Sequence, residues 1–136
     1  MKRTLILLLI GIMLAGNLYA LEDEHRRQVI YHYELTRELY ANIVDMLGDF
    51  EDSSLDIRDA EERLKEWRAI YIEKAEPVPE ENREIHGLMI SIIDVTEDIV
   101  HKNRLNNQET KDMLKALTGI KDELKREMAK IRFLMK

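Results

Sequence analysis

Four histidines are the residues of this chain best suited to bind a metal ion, and two of them follow a carboxylate at a spacing found in di-iron helical proteins. Glu22-x-x-His25 and Asp98-x-x-His101 match the Glu-x-x-His pattern of those proteins. In the antiparallel bundle derived below, His25 and His101 belong at opposite ends of the molecule. His25 and His32 lie on one helix face but about 10 Å apart along its axis, too far to share one ion. We therefore predict no metal site, and we expect each histidine to be solvated or to cap a helix.

His25 and Met128 are the candidate ligands for a noncovalently bound haem. The layout of a leader, a short acidic helical domain and ligands near both termini resembles the soluble periplasmic b-type cytochromes, which hold haem between a Met early in helix one and a His late in helix four. Here the ligand types are exchanged, because the last helix offers Met128 and Met135 but no His. Methionines on a core stripe ordinarily fill gaps. We predict no cofactor and keep a haem carrier as an alternative.

No combination of a nucleophile, a base and an acid stands out in the sequence. The chain has no Cys, and its five scattered Gly form no phosphate-binding loop. The absence of Cys-x-x-Cys-His also excludes covalently attached haem. We therefore predict that the protein is not an enzyme and has no catalytic residues.

The first twenty residues have the three-part plan of a secretory signal peptide. Lys2 and Arg3 form a basic start, an apolar run follows over 5–15, and a more polar end closes on Ala20. The run is shorter than the roughly 20 residues that a spanning helix needs, which favours a cleaved signal over an uncleaved inner-membrane anchor. A lipid anchor is excluded, because Asn17 stands where a lipobox requires Cys. We predict signal peptide 1–20 and a single domain 21–136.

Charge and the lack of Cys limit the setting and the partners of the domain. The chain has a net charge of −6, and loss of Lys2 and Arg3 with the leader brings the mature protein to −8. Such an acidic surface repels phosphates and argues against nucleic acid as a partner. Without Cys, the fold of an exported protein depends on its core alone. The predicted location is the bacterial periplasm or the exterior.

Apolar residues of the mature chain recur at steps of three and four, which predicts helices almost throughout. Gly48 is the predicted end of the first helix, and Ser53 with Asp56 is a helix-start signal for the second. Pro77 ends the second helix, and Pro79 suits the first turn of the third. Asn106 is the expected N-cap of the fourth. The helices are predicted at about 22–47, 54–75, 79–104 and 107–135.

The predicted stripes each place five or more apolar residues on one face of a helix. They are Leu35, Leu39, Ile43, Met46 and Phe50; then Ile57, Ala60, Leu64, Trp67 and Tyr71; then Ile85, Leu88, Ile92, Val95 and Ile99; and last Met113, Leu117, Ile120, Leu124, Met128, Ile131 and Met135. Four such helices joined by short loops predict an all-α, antiparallel up-down-up-down four-helix bundle. Two hairpins that complete their core by dimerising remain the rival architecture.

The function predicted from these features is that of an exported, noncatalytic helical-bundle protein of the bacterial cell envelope. It would act by binding another envelope protein or its own copies. The alternatives are the periplasmic haem carrier and a periplasmic folding or stress accessory. The segment 121–136 holds six basic residues and ends in Phe133, Leu134 and Met135, so a contact with a membrane through this end or through an uncleaved leader is also open.

Overall fold

The fold is all-α, as predicted. A computed structural model describes residues 2–52, 54–102 and 108–135, with side chains from residue 22 onward. Over these ranges there is no strand. The elements are helix α1 (Lys2–Glu51), α2 (Ile57–Ala75), a 3₁₀ turn (Glu80–Asn82), α3 (Arg83–Lys102) and α4 (Gln108–Leu134).

Helix α1 continues past Gly48, so the predicted end at that residue is wrong. Gly48 does not take the positive φ that ends many helices. Its carbonyl accepts the Asp52 N–H at 3.0 Å, which carries the helical ladder forward. Phe50 is buried in the core. Burial of this aromatic ring stabilises the additional turn.

Helix α2 begins at Ile57 rather than at the predicted residue 54, because Asp56 is its N-cap. The backbone of Asp56 is extended, and its carboxylate accepts the Asp59 N–H at 3.2 Å. Ser53 lies outside the described residues. The helix ends at Ala75, as predicted, and Glu76 is extended as expected for a residue before Pro77.

Helix α3 begins at Arg83, four residues later than predicted. The 3₁₀ turn occupies the predicted first turn, with Pro79 as its N-cap. Asn82 at the end of this turn is buried and donates from Nδ2 to the Val29 carbonyl of α1 at 3.1 Å. This side chain therefore fixes the start of α3 against α1. Asn106, the cap predicted for α4, lies outside the described residues.

Helix α3 occupies the centre of the fold and contacts α1, α2 and α4. The sequence predicted one apolar stripe on it, but the structure buries two adjacent faces. Because α3 has neighbours on more than one side, consecutive residues such as Ile92 and Ile93 are buried together. The buried residues of α3 are Ile85, Met89, Ile92, Ile93, Thr96, Ile99 and Val100. The predicted stripe residues Leu88 and Val95 are only partly buried.

Side-chain contacts tie the ends of the elements together. His25 on α1 is 2.5 Å from Glu81 in the 3₁₀ turn. Arg26, the next residue, donates to the Met135 carbonyl just beyond α4 at 2.7 Å. The part of α1 around His25 and Arg26, the 3₁₀ turn before α3 and the end of α4 thus lie close together.

The predicted leader forms the first part of α1, which runs without a break through Ala20. The side chains of residues 1–21 lie outside the described part of the chain. Among the residues whose side chains are described, no helix is both long and apolar enough to cross a membrane. Cleavage after Ala20 stays a prediction.

Truncation of the α3 core tests this arrangement. Ile92 is fully buried, so Ile92→Ala is expected to lower the free energy of unfolding by about 2 to 5 kcal/mol, through lost burial and the cavity left behind. Ile72→Ala, at an exposed position on α2, is expected to change it by no more than about 0.5 kcal/mol. Urea unfolding followed by far-ultraviolet circular dichroism gives both values, and equal losses would contradict the packing around α3.

Candidate functional site

A buried polar cluster lies where α1, α2 and α3 meet. We call it the histidine cluster: His32 and Thr36 of α1, Tyr71 of α2 and His86 of α3. His32 is only 1 % exposed, Thr36 and Tyr71 are buried, and His86 is partly exposed. Three helices therefore direct polar side chains into one point of an otherwise apolar core.

Hydrogen bonds connect the four side chains. His32 Nε2 and His86 Nδ1 face each other at 3.1 Å. Thr36 Oγ1 donates to the His32 carbonyl at 2.9 Å and lies 2.8 Å from Tyr71 Oη. The single hydroxyl proton of Thr36 is used on that carbonyl, so the Tyr71 hydroxyl donates to Thr36. Of the two facing imidazole nitrogens, one carries a proton and the other accepts it.

The aromatic rings of the cluster pack on one another as well. The Tyr71 and His86 rings are stacked, with centroids 5.0 Å apart and an interplanar angle of 22°. His32 is tilted against both, at 5.9 Å from Tyr71 and 5.3 Å from His86. These contacts fix the ring planes, and with them the direction of the nitrogen lone pairs.

Burial keeps the cluster uncharged near neutral pH. Burial and, as a smaller effect, the nearby His86 together lower the pKa of His32 to about 4. Burial also lowers the pKa of His86, although the Glu76 carboxylate partly offsets this effect. The pKa of Tyr71 is raised by burial, against the opposite effect of its hydrogen bond with Thr36. The imidazoles are thus neutral bases and the phenol a neutral donor, but His32 has almost no surface on which to meet a substrate.

An apolar groove between α1 and α2 lies beside the cluster and shares Tyr71 with it. We call it the α1–α2 groove. Its cavity of about 220 Å³ is lined by Leu35, Glu38, Leu39, Asn42, Trp67, Ile70, Tyr71 and Lys74. Ile70 is 36 % exposed, and Glu38 and Lys74 place opposite charges on the two helices. The groove therefore offers an aliphatic and aromatic floor between two charged edges.

A second cavity, of about 270 Å³, reaches His32 from the other side. Charged side chains contribute to its lining: Glu24 and Arg27 on α1, Lys74 on α2 and Glu76 in the segment that follows α2. Carboxylates and cations thus surround the rim of this cavity, while His32 lies at its inner end. This cavity gives the cluster its route to solvent.

The residues predicted as haem ligands lie in different surroundings. His25 has a half-exposed side chain and contacts Glu81 at the end of the molecule. Met128 is buried in the core. The cavity beside His25, of about 160 Å³, is lined by Met135 and Leu134 of the last helix but not by Met128. The prediction of no cofactor and the haem alternative through His25 and Met128 are both untested by these positions.

His101 is exposed near the C-terminal end of α3, where its Nδ1 lies 3.6 Å from Glu61 of α2. It lines a cavity of about 390 Å³ that is mostly charged, and in which Arg68 bonds to Glu97. His25 contacts Glu81 and His101 contacts Glu61, so the two carboxylate-x-x-His motifs belong to separate surroundings. Within residues 22–52, 54–102 and 108–135, no three His, Asp or Glu side chains are grouped to hold a metal ion.

The histidine cluster was missed in the sequence, and the expectation that every histidine is solvated or capping is wrong for His32. A signal for it was present. The buried residues Phe50, Met46, Ile43 and Leu39 follow steps of three and four, and the same steps continue to Thr36, His32 and Val29. The predicted stripe instead turned to Leu35, which is only partly buried and lines the groove.

Comparison with known proteins adds no relative to these observations. No protein-family model matches the chain, and neither a curated protein nor a solved structure is significantly similar to it.

A double-mutant cycle tests the bond between α1 and α2 in the cluster. Tyr71→Phe is expected to lower the free energy of unfolding by about 1 kcal/mol, and Thr36→Val by about 1 to 3 kcal/mol because it leaves the buried Tyr71 hydroxyl unpaired. The double variant is expected to lose less than the sum, since neither group then lacks its partner. Urea unfolding supplies the four values. Strict additivity would show that the two hydroxyls do not interact.

Proposed function

We propose that this protein is a noncatalytic helical-bundle protein of the bacterial cell envelope that acts by binding proteins, either its own copies or another envelope protein. The leader-like segment 1–20 supports export, as set out from the sequence. The α1–α2 groove is the observation that supports protein binding. Its apolar lining is continuous across two helices, and an amphipathic helix fits such a groove.

The charges at the edges of the groove favour a second copy of the chain as its occupant. Glu38 lies on the α1 side and Lys74 on the α2 side. When two copies meet about a two-fold axis, the same patch faces itself, so Glu38 of one copy approaches Lys74 of the other. Ile70 and Trp67 then cover the corresponding residues of the second copy. Opposite charges at the rim set the register, and the apolar floor supplies most of the affinity.

An up-down-up-down order of the helices is part of this proposal. Residue numbers rise in the same direction along the contacts between α1 and the chain around α3: His25 contacts Glu81, and His32 contacts His86. Contacts between α2 and α3 advance in opposite directions, from Tyr71 with His86 to Glu61 with His101. These pairs are those expected when α1 and α3 run parallel and α2 runs antiparallel to them. They support packing of α1, α2 and α3 against one another over two separate hairpins.

The C-terminal end is a second exposed apolar surface. Phe133 is 76 % exposed and Leu134 is 67 % exposed, beside the basic residues Lys130 and Arg132. Lys130 already pairs with Glu127 at 2.7 Å, which reduces its charge toward a partner. The two side chains also lie at the end of one helix, whereas the groove is lined by residues of two helices. We therefore place protein binding at the groove.

A charge placed in the groove tests the proposal. Ile70→Glu is expected to convert a dimer of the full chain into a monomer, because it buries an unpaired carboxylate in the contact. Ile72→Glu is the matched control, since Ile72 is an equally apolar and exposed residue of α2 that does not line the groove. Multi-angle light scattering over a range of concentrations gives the mass of each variant.

A photo-crosslinking residue at position 70 separates self-association from a different protein partner. Adducts from position 70 that are absent from position 72 would identify the bound protein by mass, whether a second copy or another chain. A wild-type monomer at every concentration, combined with equal adducts from positions 70 and 72, would contradict binding through the groove.

A further inference from the structure

The packed histidine cluster binds fewer protons than its two histidines would bind if they were exposed to water. His32 Nε2 and His86 Nδ1 are 3.1 Å apart and face each other. That contact needs one proton between the two nitrogens. If both nitrogens carry a proton, two donors face each other and the hydrogen bond is lost.

A positive charge on His32 is not balanced by any of its neighbours in the cluster. Thr36 Oγ1 accepts from the Tyr71 hydroxyl, donates to the His32 carbonyl and keeps a second lone pair toward the other ring nitrogen at 3.5 Å, but this neutral oxygen supplies no negative charge to balance an imidazolium. The ring is otherwise packed on the faces of Tyr71 and His86. A charged His32 in this position is a buried cation beside a second histidine, without a carboxylate bonded to it among the described contacts.

The charged groups around the cluster come from every element that packs on it. Glu24 and Arg27 on α1, Lys74 on α2 and Glu76 after α2 line the cavity that reaches His32, and α3 supplies His86 itself. Glu76 favours a proton on His86, and a charge on His86 disfavours a proton on His32. The first proton taken up by the cluster therefore goes to His86, and the second must go to His32.

We propose that the histidine cluster is an acid-sensitive contact that holds α1 against α2 and α3 while His32 is neutral and releases it when both imidazoles are protonated. The released state lets His32 meet water, where its positive charge is solvated. Tyr71 belongs to the cluster and also lines the α1–α2 groove, so the same protonation changes the shape of the groove. This switch needs neither export nor a partner, and its test is independent of the proposed function.

The sign of the effect follows from the proton balance. With α1 released, His32 takes up a proton near its usual pKa of 6.5, whereas the packed state resists it until the pKa of about 4. The released state binds more protons between these values, so its population rises as the pH falls. The stabilising contribution of neutral His32 is complete above about pH 6.5 and is lost toward pH 4. The equilibrium constant for release or unfolding is expected to rise about tenfold for each pH unit in the middle of this range.

Trp67 provides a natural probe, since it is the only Trp of the chain and lines the groove beside Tyr71. Urea unfolding of the full chain, followed by Trp67 fluorescence at several values between pH 7 and 4.5, gives the equilibrium constant. In His32→Gln, the equilibrium constant for unfolding is expected to depend less steeply on pH, by about one factor of ten per pH unit compared with the wild type. The carboxylates that also titrate in acid are common to both proteins and cancel in the comparison.

His101→Gln is the matched control, because His101 is exposed and lies away from the cluster. It is expected to keep the dependence of the wild type. If His32→Gln does not fold, the test uses the variant His86→Gln and the ring proton signals of the wild type instead. His86→Gln must show a weaker pH dependence of the equilibrium constant for unfolding than the wild type. The His32 signal of the folded wild type must stay at its neutral position down to about pH 5. An unchanged slope in the folded cluster variant, or a His32 signal that titrates near 6.5 in the folded protein, would overturn the proposal.

Discussion

Burial of both apolar faces of α3 is the constraint on which the rest of the structure depends. The chain has no Cys, so within the described residues burial and hydrogen bonds hold the helices together. Helix α3 meets α1, α2 and α4, and Ile92 and Ile93 are both fully buried although they are consecutive. Helix α4 reaches the core largely through its contact with α3, whereas α1 and α2 also contact each other. Packing on this one helix therefore sets the positions of the side chains in the cluster and in the groove.

A polar cluster inside such a core is costly unless its groups satisfy one another. The cluster meets this condition while His32 is neutral and fails to meet it when both imidazoles are protonated. Thr36, Tyr71, His32 and His86 use their donors and acceptors on each other when the imidazoles are neutral. Apolar residues of similar size would fill the space without this restriction. Because the residues at this position are polar, the contact among the three helices depends on the protonation of the histidines. This dependence is the physical basis of the proposed acid sensitivity.

The sequence predicted the helices well, because steps of three and four between apolar residues leave little choice of secondary structure. The ends were harder. Asp56 rather than Ser53 or Ser54 marks the start of α2, and a buried Phe50 carries α1 past Gly48; both depend on what the residue contacts in three dimensions. The apolar residues Met89 and Ile93 beside the stripe of α3 indicated a wider buried surface, whereas the burial of Val100 was missed because a single helical stripe does not reveal it.

Only part of the candidate site could be predicted from the sequence. His32 and Thr36 lie at positions that the stripe of α1 reaches when polar residues are counted. No pattern within α1 indicates His86 or Tyr71, because their approach depends on how far α2 and α3 are shifted along α1. Asn82, which bonds to the Val29 carbonyl, fixes that shift on the α3 side through a contact between distant parts of the chain.

The most direct test of this account is a nuclear Overhauser measurement on the aromatic side chains at neutral pH. The account predicts cross-peaks among the ring protons of His32, Tyr71 and His86, whose centroids are 5.0 to 5.9 Å apart. Assigned ring signals without any cross-peak between His32 and either of the other two would show that α1, α2 and α3 do not meet at this cluster, and would contradict both the packing and the acid-sensitive contact.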